Sequence, residues 1–156
     1  MIIRNIKEFL NSINGKKILC IDFGKKKIGL AISNKLQNIV TPIDTLKRDN
    51  NFYEKLKKII EEYEVGAILV GLPINENGSL NKISQFIVDI TKNMDFNLLD
   101  SKINIPIHFW DENYSSFEAE ILTKGTLKRK SKIDKYAAKI ILDDFLRENK
   151  LNEKQN

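Results

Sequence analysis

The hydrophobic pattern begins with a run rather than an alternation. Lys16 to Phe23 carries Ile18-Leu19-Cys20-Ile21 without a polar break, the pattern of a strand covered on both faces. Ile28 to Ser33 repeats it after Gly24-Lys25-Lys26-Lys27, and so short a link predicts a β-hairpin. Asn38 to Leu46 reads as a third strand, in which Pro42 marks an edge or a bend because it has no N–H to give to a ladder. The period then becomes helical, with Phe52, Leu56, Ile59, Ile60 and Tyr63 on one face. Gly66 to Gly71, with its Ala67-Ile68-Leu69-Val70 core, predicts a buried parallel strand. After the loop Leu72 to Ser79, with its Asn77-Gly78 turn signal, Ile83, Phe86, Ile87, Ile90 and Met94 mark a second helix, and Ile105 to Trp110 a fifth strand.

Ser115 and Glu118 stand at capping-box spacing and open a helix to about Thr123, closed by Gly125. A flexible basic segment, Lys124 to Lys132, leads to a last helix over Ile133 to Leu146, whose inner face is Ile133, Ala137, Ile140, Ile141 and Phe145. At the other end, Met1 to Asn14 places Ile2, Ile6, Phe9, Leu10 and Ile13 on one helical face. Arg4, Lys7 and Glu8 interrupt that face, which excludes a signal peptide or a membrane span and predicts a short surface helix. Three antiparallel strands, then alternating helix and strand, then helices, is an RNase H-like α/β order: a mixed five-stranded sheet flanked by helices. The whole chain, 1–156, reads as one domain, with 1–14 a helical extension and 151–156 a polar tail.

Composition adds bounds to this picture. At 156 residues and 42% hydrophobic, the chain can bury a core without staples. Its single cysteine, Cys20, lies in the first strand, so an internal disulfide is excluded and a reducing, cytoplasmic setting is expected. The net charge of +5 favours a polyanionic partner. Its placement is more informative than its total: Lys25, Lys26 and Lys27 adjoin Asp22, while Lys124, Lys128, Arg129, Lys130 and Lys132 crowd the approach to Asp134. Cations clustered beside acids point to a phosphate-bearing substrate.

Three acids stand where an acid is costly. Asp22 closes a buried run, Glu112 follows the Ile105 to Trp110 segment, and Asp134 opens the last helical stretch. Removing a carboxylate from water is opposed by several kcal/mol unless a metal or cation receives it, so three acids on separate elements point to a metal site. Each has a plainer reading. Asp22 could start a tight turn, and Glu112 could be a loop charge with Asp111 equally placed as a ligand. Asp134 stands three residues after Ser131, so it could be the acid of a capping box that complements a helix dipole. His108 alternates with Ile107 and Phe109 and reads as structural, and Phe109 and Trp110 read as core.

The motifs are Ile21-Asp22-Phe23-Gly24 with Lys27-Ile28-Gly29-Leu30-Ala31-Ile32-Ser33; Val70-Gly71-Leu72-Pro73 with Asn77-Gly78-Ser79; Asp111-Glu112-Asn113 with Glu118-Ala119-Glu120; and Lys132-Ile133-Asp134-Lys135 with Ala137-Ala138. In that order, from about Lys17 to Leu146, the chain resembles the YqgF family of pre-16S rRNA nucleases, related to Holliday-junction resolvases. The resemblance implies an endonuclease in which Asp22, Glu112 and Asp134 hold Mg²⁺ or Mn²⁺ against a scissile phosphate. Asp22 would bridge two ions, with Glu112 and Asp134 holding one each. The implied partner is nucleic acid, with an rRNA precursor favoured and branched DNA the alternative, and the implied state a monomer or homodimer without a membrane. Lys25, Lys26, Lys27, Lys128, Arg129 and Lys130 would bind the phosphate backbone. One departure bears on mechanism: the arginine that commonly follows the Asp-Glu pair is here Asn113, which cannot clamp phosphate with a charged fork. Other classes are an ATPase of the actin or sugar-kinase type, for which the chain lacks a second domain, and a non-catalytic RNA or protein interaction module.

Overall fold

One sheet organises the chain, with strands in the order β3-β2-β1-β4-β5. The computed structural model describes residues 1–75, 77–111 and 129–154, and side chains in 129–154 only for 136–150. The strands are β1 (Lys17–Phe23), β2 (Lys27–Ser33), β3 (Val40–Lys47), β4 (Val65–Leu72) and β5 (Ile107–Asp111). The described helices are α1 (Ile6–Ser12), α2 (Phe52–Glu62), α3 (Lys82–Asp100) and α4 (Arg129–Lys154). β1, β2 and β3 are antiparallel neighbours, whereas β4 runs parallel to β1 and β5 parallel to β4. The RNase H-like order is therefore present, and Pro42 lies on an edge strand, where the missing N–H costs no ladder bond.

Central position explains the unbroken run in β1. Leu19, Ile21 and Phe23 face a core shared with Phe52, Leu56 and Ile60 of α2 and Ile87, Val88 and Met94 of α3. Ile18 and Cys20 face the other core, beneath Ala138, Ile141, Leu142 and Phe145 of α4 and against Phe9 of α1. A strand between two such layers has no wet face, and each fully buried Leu, Ile or Phe contributes about 1.5–3 kcal/mol. Cys20 is fully buried within the second core.

The structure departs from the sequence pattern in three places. Ile2 is not on a helix: residues 1–3 run parallel to β5, with Ile3 N–H donating to Ile107 O (2.8 Å) and Ile107 N–H to Met1 O (2.9 Å). The bare edge of β5 carries donors and acceptors that need partners, which overrides a weak helical pattern. α1 starts only at Ile6, where Asn5 Oδ1 accepts from Glu8 N–H at 3.1 Å. Next, α3 extends to Asp100 because Leu98 continues the buried face of Met94.

The third departure is that α4 begins at Arg129, not Ile133, and runs to Lys154. Its added residues, mostly Lys, Arg and Glu, favour a helix. Ser131 is thus inside the helix and not its cap, Arg129 to Lys132 are helical instead of a flexible link, and the polar tail is helical as far as Lys154. The helix expected over Ser115 to Thr123 lies outside the described residues.

The β1–β2 turn depends on a small residue. Gly24 N–H donates to Lys27 O at 3.0 Å, and a Cβ on Gly24 would stand 2.5 Å from that same oxygen. Backbone on both sides cannot yield without opening the turn. Gly24→Ala is expected to destabilise the protein by about 1–3 kcal/mol in urea denaturation. Lys25→Ala, on the exposed side of the same turn, should stay within about 0.5 kcal/mol of the parent.

Candidate active site

Strand register builds the surroundings of Asp22. On β2 its partner is Gly29, and on β4 the residue after the Ile21↔Val70 pair is Gly71, itself paired with Trp110 of β5. Gly29, Asp22, Gly71 and Trp110 therefore form one row across the sheet. Alternation puts this row on the α4 face, one step beyond Ala31, Cys20, Leu69 and His108. Asp22 is half-buried. Neither neighbouring strand places a Cβ beside its carboxylate, and the row lies at the carboxyl ends of the parallel strands, where open α/β sheets take their ligands.

Three lysines follow immediately. Lys25, Lys26 and Lys27 are exposed on the turn after β1, and Arg48, just past β3, holds that turn. Its backbone N–H donates to Lys26 O at 3.1 Å, and its Nη1 donates to Gly24 O at 3.2 Å and Lys25 O at 3.4 Å. The guanidinium also lies 4.2 Å from the ring centre of Phe86 on α3. Sequence reasoning missed Arg48, which reads there as one more charge in a polar loop; its only signal is that Lys47 ends the strand that pairs with Lys27.

On β5, His108 is buried, stacks on Phe9 at 4.9 Å, and lies with Nδ1 2.7 Å from Ile3 O. A carbonyl can only accept, so Nδ1 carries the proton. Burial pushes the His108 pKa below the ordinary histidine range, with the Ile3 carbonyl and Asp111 pulling it partly back. Asp111 is exposed as a residue, yet desolvation of its carboxylate raises its pKa, offset in part by His108. Trp110 packs edge-on against Phe145 at 5.2 Å and donates from Nε1 to Asp144 at 3.3 Å. His108 and Trp110 are thus engaged in packing, as their strand positions predict.

Of the predicted ligands, Asp22 lies among the described residues, at the end of the central strand. Asp134 is helical, the sixth residue of α4, but its side chain lies outside the described residues, as do those of Arg129 and Lys130. Glu112 and Lys128 lie outside them altogether. The helix start nevertheless corrects one alternative: a helix dipole acts within the first turn, and no acid stands in the first turn of α4. Among the described residues no three His, Cys, Asp or Glu side chains group as a metal could use them, and no described helix is long and apolar enough to cross a membrane. A cavity of about 500 Å³ lined by Leu10, Leu36, Gln37 and Lys150 lies past the far end of β2, away from Asp22.

Sheet order and helix placement define an RNase H-like domain with a carboxylate on its central strand. Two solved structures have the same fold: Thermus thermophilus RuvC in complex with a Holliday junction substrate (TM-score 0.52, 11% identity, 86% of this chain and 95% of that one), and the yeast mitochondrial Holliday junction resolvase Ydc2 (TM-score 0.51, 14% identity, 90% and 84%). The family model described as "RuvX: Holliday junction resolvase" matches residues 16–148. Relatives named "Putative pre-16S rRNA nuclease" come from Thermoanaerobacter pseudethanolicus, 39% identical over 83% of this chain and 95% of the relative, and from Orientia tsutsugamushi, 38% identical over 94% of each. The chain belongs to the RuvX (YqgF) family, a family of nucleases and hence of hydrolases.

The buried imidazole makes stability pH-dependent. A folded-state pKa below the ordinary value of about 6.5 means that the unfolded chain takes up the proton first. This contribution is fully present above that value and lost as pH falls through the folded pKa. The urea midpoint should therefore drop between pH 7.5 and pH 5, and His108→Gln should flatten that drop. Asp111 acts in the opposite sense and only near the carboxylate range.

Proposed function

We propose that this chain is a metal-dependent endonuclease that hydrolyses phosphodiester bonds in nucleic acid, with the 5′ end of pre-16S rRNA as its substrate in the cytoplasm. The observation that carries the reading is Asp22 on the central strand between Gly29 and Gly71. The relatives' shared name supports the substrate, and the family description supports a second one, a four-way DNA junction.

A carboxylate flanked on both neighbouring strands by glycine suits a hard divalent cation. Mg²⁺ keeps much of its water and needs only one or two carboxylates besides phosphate oxygens. Asp22, Glu112 and Asp134 would hold Mg²⁺ or Mn²⁺, which when bound supplies an activated water and neutralises charge on the leaving oxygen. The placement of α4 supports Asp134 in this role. Lys150 lines the cavity past the far end of β2, so the helix, followed back across β2, runs toward the Asp22 end. Ala137 and Ala138, one turn after Asp134, are both buried, and side chains that small let the helix lie close to the sheet. The lysines Lys25 to Lys27 would attract and orient the phosphate backbone, together with Lys128, Arg129 and Lys130. They also supply the positive charge that Asn113 lacks.

Cleavage assays on structured rRNA precursor and on four-way DNA junctions test the reading. Activity should require Mg²⁺ or Mn²⁺ and vanish with EDTA. Asp22→Asn and Asp134→Asn should each lower cleavage by about 100-fold or more while the protein stays folded and binds nucleic acid. Ser131→Ala, which removes no cap because Ser131 is within α4, should leave activity intact. Full activity in Asp134→Asn would remove it from the ligand set, and full activity in Asp22→Asn would overturn the mechanism.

The basic groups have a separate signature. Neutralising Lys128, Arg129 and Lys130 together should reduce the slope of log affinity against log salt by about 0.7–0.9 for each phosphate that these cations neutralise in the parent. An unchanged slope would show that they do not touch the backbone.

A further inference from the structure

Three of the four carbonyl oxygens in the Gly24–Lys27 turn accept from Arg48, and the fourth accepts from Gly24 N–H. With its carbonyls all engaged, the turn presents three exposed lysines. The guanidinium that holds it lies over Phe86, whose ring sits outside both cores and keeps 45% of its surface exposed. Ile83, one turn earlier at 58% exposed, and Leu80 at 48% continue the apolar surface. A large aromatic is thus kept at the surface, anchored to an arginine and not to the core, next to a turn of three cations.

Charge and apolar surface in this combination select a ligand that carries a π face and an anion a short distance apart. A nucleotide is such a ligand, and a base inside a duplex is not, because its faces are already stacked. We propose that Phe86, held by Arg48 beside the Lys25–Lys27 turn, is a stacking site for an unpaired nucleotide of a strand whose phosphates lie on those lysines. Arg48 is then a positioning residue that fixes the ring and the turn relative to each other. Its fork and plane matter more than its charge, since lysine offers neither two fixed donors nor a stacking plane. The inference rests on the nucleic-acid part of the reading above and adds the form of the strand, unpaired near Asp22.

Binding of the full chain, followed by fluorescence anisotropy in EDTA so that nothing is cleaved, tests this with three probes: a single-stranded oligonucleotide, the same strand annealed to its complement, and the same strand with abasic sites. Phe86→Ala should weaken binding of the single strand about tenfold, equivalent to about 1.4 kcal/mol, within the range for one stacked base. Duplex and abasic affinities should be unchanged, and so should the salt slope. Phe86→Tyr should restore single-strand binding. Phe86→Leu, apolar without a π face, should not, and Arg48→Lys should weaken the single strand despite its equal charge.

Equal losses on all three probes, or full binding by Phe86→Leu, would overturn the proposal in favour of a packing role. So would no loss in Phe86→Ala. Because no step requires a metal, a protein that cleaves nothing but shows the Phe86 pattern would sink the nuclease reading alone, while one that cleaves normally with Phe86→Ala unaffected would sink this proposal alone. A protein that binds no probe would sink both.

Discussion

A carboxylate on the central strand is the constraint around which the rest is arranged. β1 has a helical layer on each face, so any side chain along it is destined for a core. Asp22 shares a face with Ile18 and Cys20 and can keep that place only where the packing gives out. The neighbouring strands contribute to this: Gly29 and Gly71 flank Asp22 without a side chain, whereas one row back Ala31 and Leu69 flank Cys20 and are fully buried. A one-residue slip in register would turn Asp22 to the other face, into the core that holds Leu30 and Val70, and reverse both faces of the strand. The same hydrophobic pairing that sets register therefore also places the acid.

The edges of the sheet are closed by different means, and this shapes what is exposed. On one side, Pro42 and several polar positions blunt β3. On the other, residues 1–3 take up the hydrogen bonds of β5, and Ile3 O receives the His108 ring. Phe9 completes that corner by stacking on the imidazole and meeting Phe145 edge-on at 6.0 Å. The histidine is thus consumed by structure. Among the described residues, that leaves a carboxylate, lysines and Arg48 at the end of the sheet where Asp22 lies, a chemistry suited to cations and phosphate and not to acid–base relay through imidazole.

How far the sequence could be read depended on whether the determining interaction was local. Strand runs such as Ile18 to Ile21 and the helical spacing of Phe52, Leu56 and Ile60 report burial directly, so all five strands, α2 and the start of α3 were readable to within a few residues. The edge role of Pro42 was readable because it follows from a missing N–H. What could not be read was contact between distant segments. Ile2 looked helical because the pattern of one segment says nothing about an unpaired edge over 100 residues away. The start of α4 was misplaced because Ser131 and Asp134 imitate a capping box, though the helix begins two residues before Ser131. In the candidate site, Asp22 and the three lysines announced themselves as charges against a hydrophobic run. Arg48 did not, since its partners lie 23 and 24 residues away along the chain.

Arg48 also shows how charge at this end is divided. Surface lysines hold flexible point charges and carry sequence-independent attraction to phosphate. An arginine whose Nη1 donates to two carbonyls and whose guanidinium lies over an aromatic ring is a mechanical element that happens to be charged. Four cations crowded on one small surface repel one another, and hydrogen bonding to Gly24 O and Lys25 O offsets part of that repulsion by placing carbonyl dipoles against the guanidinium. The remaining repulsion belongs to the exposed lysines, where a polyanion relieves it most. Positive charge held at the surface of this turn, close in the chain to a half-buried carboxylate, favours an anionic ligand such as the phosphate backbone of a nucleic acid.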